Sequence, residues 1–231
     1  MEIKNLKNKH KGERCFIIGT GPSLMQTSLE LIRDEILFGC NTLYKGLDYF
    51  WLKCKYYAVS DEQVWLHHYK GILGLDTILF VSGKARNHYK RKREYYQQFA
   101  HPNLVVFEIP EIAHCWYTNT ISTDLEKGVM NGDTVIVDIC LQAAYYMGFN
   151  TTYLVGVDCN YDGEHHFDGS YADSNTGGAS GHWQNCFKAY NICQNVFKKN
   201  HRTIINVNMD SKLDAFPKQT LKAIFNATNV S

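Results

Sequence analysis

Short apolar runs in this sequence end in clusters of glycine, hydroxyl, amide and carboxylate residues, the groups that bind phosphates, sugars and bases. The first cluster, Gly19-Thr20-Gly21-Pro22-Ser23-Leu24, follows the apolar run Cys15–Ile18 and leads into a helical pattern over Leu24–Leu37. Its backbone N–H groups and the positive helix end could face a phosphate, with glycine permitting close approach. The turn is not a Walker A loop, because no Gly-Lys-Ser/Thr follows. Nor is it a full G-x-G-x-x-G, because Leu24 stands where the third glycine would be. A Gly-Pro turn that merely links strand to helix is an equal reading. Asn41 and the pair Ser60-Asp61 sit just beyond two further predicted strands, the place where open parallel sheets bind ligands. Asn41 could bond a base, ribose or phosphate, or cap the next turn. Ser60-Asp61 also reads as a helix cap. Asn131-Gly132-Asp133-Thr134, before a central helix, is either a second anion seat or an N-cap. Asp158, closing the run Tyr153–Val157, could bind ribose, an acceptor or a metal, or could simply order its loop.

Two histidine sites follow. His165-His166-Phe167-Asp168 combines imidazoles and a carboxylate suited to a divalent cation, but adjacent histidines point differently, and a loop anchored by Phe167 accounts for it as well. No metal is assigned there. His182, in Gly181-His182-Trp183, opens a predicted helix and could act as a general base on an acceptor hydroxyl; a structural histidine is the alternative. The basic segment Lys84–Arg93 could meet anionic lipid head groups or an acidic acceptor, or be a solvated charge run.

The elements that must position these groups alternate between short apolar runs and helical patterns, which predicts a Rossmann-like α/β fold: a mostly parallel sheet with helices on both faces. Strands are predicted at Cys15–Ile18, Phe38–Asn41, Tyr56–Val59, Thr77–Val81, Leu104–Phe107, Thr151–Val157 and Thr203–Val207. Helices are predicted at Leu24–Leu37, Thr134–Met147, where Gly148 supplies the stop, and His182–Asn200. Asn160–Gly181 and His114–Asp133 read as loops. With 231 residues, 45% of them hydrophobic, the chain can bury a core. We expect one nucleotide-binding domain over 1–231 with a lid loop at 160–181. A net charge of +1 argues against a nucleic-acid partner. The eight cysteines have neither C-x-x-C nor zinc spacing and read as reduced, mostly buried thiols. The basic, polar start lacks the apolar core of a signal peptide, and no apolar stretch is long enough for a bilayer span, so a cytoplasmic protein is expected, with Lys84–Arg93 available for peripheral contact at the inner face of a membrane.

Taken in order, Phe16-Ile17-Ile18-Gly19-Thr20-Gly21-Pro22-Ser23-Leu24, Cys40-Asn41, Tyr153-Leu154-Val155-Gly156-Val157-Asp158 and Gly181-His182 resemble the family 42 bacterial sialyltransferases. The chain is also similar to the related domain-of-unknown-function family 115, which includes flagellin-modifying glycosyltransferase-like and 6-hydroxymethylpterin diphosphokinase-like proteins. Leu141–Phe149 and Asn206–Pro217 carry that second resemblance.

The sialyltransferase resemblance implies that Gly19, Thr20, Gly21, Ser23 and Asn41 bind the nucleotide of a CMP-sugar. Thr20 stands where that family commonly has Asn. It further implies that loop tyrosines, here Tyr161 and Tyr171, bond the leaving phosphate, with a strict count placing Asn160 at one of these positions, and that His182 is the base. The implied activity is inverting transfer of sialic acid or another nonulosonate to a glycan, glycolipid or protein acceptor, as in polysaccharide biosynthesis, with no cofactor beyond the donor. The second resemblance implies instead an ATP-using diphosphokinase that needs Mg²⁺ to bridge the phosphates. A non-catalytic nucleotide- or glycan-binding module is a third reading. The sugar, acceptor, linkage and oligomeric state, a homo-oligomer included, stay open.

Overall fold

A computed structural model describes residues 1–83, 96, 99, 101–108, 114–160, 166–168 and 181–228, and for Gly181, His182 and Trp183 the backbone alone. The apolar runs form β1 (Arg14–Ile18), β2 (Leu37–Cys40), β3 (Tyr56–Val59), β4 (Ile78–Gly83), β5 (Leu104–Glu108), β6 (Thr151–Val155) and β7 (Thr203–Asn206). They make a seven-stranded sheet in the order β5-β4-β3-β2-β1-β6-β7, and every pairing is parallel. The runs are continuous rather than alternating because the sheet is covered on both faces. β2 and β3 are buried at every position.

On one face, Ile17, Phe38, Ala58, Phe80, Leu154 and Ile204 pack under Ile139, Ala143, Met147, Cys193 and Phe197. On the other, Ile18, Leu37, Tyr57, Leu79 and Val155 pack under Leu24, Ile32, Val64, Trp65, Ile72 and Ile224. All eight cysteines are thiols and seven are buried. No helix among the described residues is long and apolar enough to cross a membrane.

The expected helix over Leu24–Leu37 is replaced by two 3₁₀ turns, Pro22–Gln26 and Leu29–Ile32. Thr27 breaks the pattern: its hydroxyl donates to the Ser23 carbonyl at 2.7 Å while its backbone turns extended at φ −90°, ψ 135°. A side chain that bonds the nearby backbone competes with helix continuation.

The helix expected over Thr134–Met147 is present in two parts, a π-helical stretch Ile136–Leu141 and an α-helical stretch Gln142–Met147 that ends at Gly148 with φ +91°. The fully buried Gln142 amide donates to the Val137 and Asp138 carbonyls at 2.7 and 3.0 Å. Feeding those carbonyls from a side chain is compatible with the wider i→i+5 winding. The same Gln142 accepts from the Ser122 and Met130 amides, both at 2.9 Å. His114–Asp133 is therefore anchored rather than a free loop, and it contains a helical turn at Cys115–Thr118 and a 3₁₀ turn at Leu125–Lys127. Lys84–Arg93, Tyr161, His165 and Tyr171 lie outside the described residues.

Candidate functional site

Because every strand pair is parallel, the segments that leave β1, β2, β3, β6 and β7 emerge along one edge of the sheet. The chain runs outward from β1 to β5 and then returns to place β6 against the other side of β1. The ends of β1 and β6 thus form the topological switch point, where α/β sheets bind ligands. Gly19–Ser23 leaves β1 there and Gly156–Asp158 leaves β6.

These two turns are locked together. The Gly19 amide donates to Val155 O at 2.7 Å and the Gly21 amide to Gly156 O at 2.8 Å. A Cβ on Gly21 would fall 2.5 Å from an Asp158 carboxylate oxygen and 2.8 Å from Gly156 O, so glycine is required here for contact between two protein turns. Gly156 adopts φ +64°, which ends β6 at Val155, two residues before the sequence predicts, and turns the chain toward Asp158.

Asp158, 9% exposed, accepts the Ser23 amide at 2.9 Å, the Ser23 hydroxyl at 2.5 Å and the Asn208 side-chain amide at 2.8 Å. The fully buried Asn206 and the nearby Ser211 hydroxyl bond the Val157 carbonyl at 3.0 and 2.9 Å. Asn206, Asn208 and Ser211 hold the turn after β6, a task that chemistry-by-residue reading of the sequence passes over. Their signal was a polar run placed directly after the last apolar strand.

Asn41 follows β2 in the left-handed region at φ 49°, and its turn is held by Tyr57, whose hydroxyl donates to Asn41 O at 2.8 Å and accepts the Tyr44 amide at 2.8 Å. Burial pushes the Tyr57 phenol well above its ordinary range, so it stays a donor. The Asn41 side-chain oxygen is buried and has no hydrogen-bond partner among the described residues. Asp61 caps the helix Glu62–Leu73, accepting from the Gln63 and Val64 amides at 2.8 and 3.4 Å, and Ser60 beside it is buried.

At the second turn, the Gly132 amide donates to the buried Asp138 carboxylate at 2.6 Å and the Asp133 amide to the Asn131 side chain at 2.9 Å. The Thr134 carbonyl receives the Val137 and Asp138 amides at 3.0 and 2.7 Å. Asp133 has φ 60° and Cys159, next to Asp158, has φ 48°. Asn41, Asp133 and Cys159 thus turn in the left-handed region, as Asn8, Trp51, Asn119 and His201 do elsewhere in the chain.

The helix Gly181–Lys199 runs back to β7, so its first turn, with His182, opens at this same edge. It is joined to the second turn where the Cys186 thiol meets Asp133 O at 3.6 Å. His166 also reaches the crevice: its Nδ1 lies 2.7 Å from the Thr20 hydroxyl. Asn160 is exposed at the rim. Among the described residues, no group of three or more His, Cys, Asp or Glu is gathered to hold a metal.

Fold and site together define a Rossmann-like, all-parallel α/β protein with polar turns converging at its switch point. The chain belongs to the family described as 6-hydroxymethylpterin diphosphokinase MptE-like, which it matches over residues 1–164. It is also similar in structure to the MAf glycosyltransferase from Magnetospirillum magneticum AMB-1, with a TM-score of 0.54 and 12% identity. That alignment covers 100% of this chain and 40% of the other, so the likeness is one of fold. No curated protein matches the sequence.

Proposed function

We propose that this chain is a nucleotide-dependent glycosyltransferase working at the β1–β6 crevice. It would move sialic acid or another nonulosonate from a CMP-activated donor to a glycan, glycolipid or protein acceptor. The observation that carries this reading is the buried Asn41 oxygen at the sheet edge, which has no partner among the described residues. A buried acceptor without a donor is costly, and an amino group of a base or a ribose hydroxyl offsets that cost. Thr20 and Ser60 flank the same edge, and the MAf-like fold accommodates sugar transfer.

In the proposed step the acceptor hydroxyl loses its proton to His182 as its oxygen bonds the anomeric carbon. The sugar–phosphate bond breaks with inversion, and CMP leaves with the bonding pair. Polar groups of the crevice and loop, Tyr161 and Tyr171 among them, would stabilise the departing phosphate. No metal takes part.

The family match supports a second reading, a Mg²⁺-dependent transfer of diphosphate from ATP to a pterin-like alcohol. Asp158 is a poor magnesium ligand in this arrangement, because its two oxygens already accept three hydrogen bonds. A thermal-shift panel of CMP, CDP, UDP, GDP and ATP, each with and without Mg²⁺, separates the readings. Stabilisation by CMP without metal is expected. Stabilisation by ATP with Mg²⁺ alone selects the diphosphokinase, and no shift with any nucleotide removes both. Once turnover is found, His182→Ala should lower it by about 10² to 10⁴ while leaving CMP affinity unchanged.

A further inference from the structure

Tyr44, Lys45, His68 and Asp168 form a polar cluster beside the crevice that the sugar-transfer chemistry leaves without a task. Lys45 closes the 3₁₀ turn Asn41–Lys45 that follows β2, and its Nζ lies 3.5 Å from an Asp168 oxygen, the two side chains being 31% and 16% exposed. Charge-assisted N–H···O contacts settle at about 2.8 Å, so this pair is a loose electrostatic contact.

Asp168 is delivered by a short clip laid over the glycine turn. The Phe167 amide donates to Thr20 O at 2.8 Å, His166 Nδ1 sits 2.7 Å from the Thr20 hydroxyl, and the Phe167 ring packs edge-on against Phe50 at 5.5 Å between centroids. Two residues of chain reach at most about 7 Å, so the Asp168 backbone stays at the margin of that turn. His68 bonds the Tyr44 hydroxyl at 3.1 Å. Burial and the Lys45 charge lower the His68 pKa.

A phosphate in the crevice needs compensating charge. The Gly19, Gly21 and Ser23 amides are committed to Val155, Gly156 and Asp158, so the glycine turn does not supply it from these groups. Lys45 closes the turn that Asn41 opens, and its charge faces the Asp168 carboxylate.

We propose that Lys45 is the cation that receives the phosphate of the donor nucleotide and that Asp168 is the carboxylate which this phosphate displaces. The inference rests on the nucleotide reading of the crevice and adds to it a phosphate subsite and a built-in competitor.

Calorimetric titration of CMP and of cytidine into the wild-type chain, Lys45→Met and Asp168→Asn tests it, with ATP and adenosine as a second pair. Lys45→Met should weaken the nucleotide about ten- to a hundredfold and leave the nucleoside unchanged, since only the phosphate loses a charged partner. Asp168→Asn should tighten the nucleotide about two- to fivefold, as expected for removing a partly exposed competing ion pair. Equal nucleotide affinity in Lys45→Met, or weakening in Asp168→Asn, overturns the proposal while the nucleotide reading stands. Wild-type protein that binds neither nucleotide overturns both. Unfolding midpoints of the variants within a few degrees of wild type show that the affinities belong to folded protein.

Discussion

At the scale of single residues, the crevice depends on one carboxylate. Asp158→Ala would strand the Ser23 amide, the Ser23 hydroxyl and the Asn208 amide. Leaving buried donors unpaired costs about 1–3 kcal/mol for each group, reduced by whatever water enters, so a loss of about 3 kcal/mol in urea unfolding is expected. Gly21→Ala drives a methyl into the same carboxylate and should cost about 1–3 kcal/mol. His10 carries a pH dependence. It is 4% exposed, bonds Glu13 and Tyr56 at 2.5 and 2.7 Å and stacks on Phe149. Burial lowers its pKa from the ordinary 6.5, outweighing the Glu13 carboxylate that raises it. The unfolded chain therefore binds the proton more readily than the folded one, and stability should fall as pH drops through the unfolded value of 6.5. Urea midpoints between pH 7.5 and 5 should show that slope, and His10→Gln should flatten it. An unchanged slope in the variant would assign it to other groups.

At the scale of elements, the π-helical stretch Ile136–Leu141 and the Gln142 side chain form one device. The Gln142 side-chain N–H groups reach the Val137 and Asp138 carbonyls of that stretch and Met130 O at 2.8 Å, and its Oε1 accepts from two amides of the 122–130 segment. The packed segment that precedes the Gly132–Thr134 turn is thereby tied to the helix after it. Gln142→Leu keeps the apolar volume but removes every one of these bonds, so it should cost at least about 3 kcal/mol and expose 119–130 to limited proteolysis. Proteolytic rates equal to wild type would show that the segment is held by its apolar contacts instead.

At the scale of the whole molecule, the crevice draws on residues far apart in the chain. Asn206, Asn208 and Ser211 hold the end of β6 through Val157 and Asp158, and β7 itself pairs with Pro217–Gln219 through Asn206. The family match ends at residue 164, short of all of them. A fragment of residues 1–164 would lose β7, the Gly181–Lys199 helix and every side-chain partner of Asp158 outside the glycine turn. It should lack a cooperative unfolding transition and the dispersed NMR spectrum of the full chain. A fragment that unfolds cooperatively would place the stabilising core on the β1–β5 side alone.

Local chemistry by itself determined the strands and the edge they share. Continuous buried runs such as Phe16–Ile18 and Tyr56–Val59 need no distant information to read as covered parallel strands, and polar residues just past them mark the ligand edge of such a sheet. Asp61 as a helix cap was legible for the same reason, since its partners lie two and three residues away. Tertiary structure decided what those polar groups touch. The glycines of the first turn serve contact with Gly156 and Asp158, 135 residues or more along the chain, and Ser23 spends its donors on Asp158 rather than leaving them for a ligand. Lys45 gained its anion from the 166–168 segment, and the Asn41 oxygen is buried with no donor among the described residues. Periodicity and local propensity report on neighbours within a few residues; hydrogen-bond partners brought together by sheet order are set by the global arrangement, which no window of sequence contains.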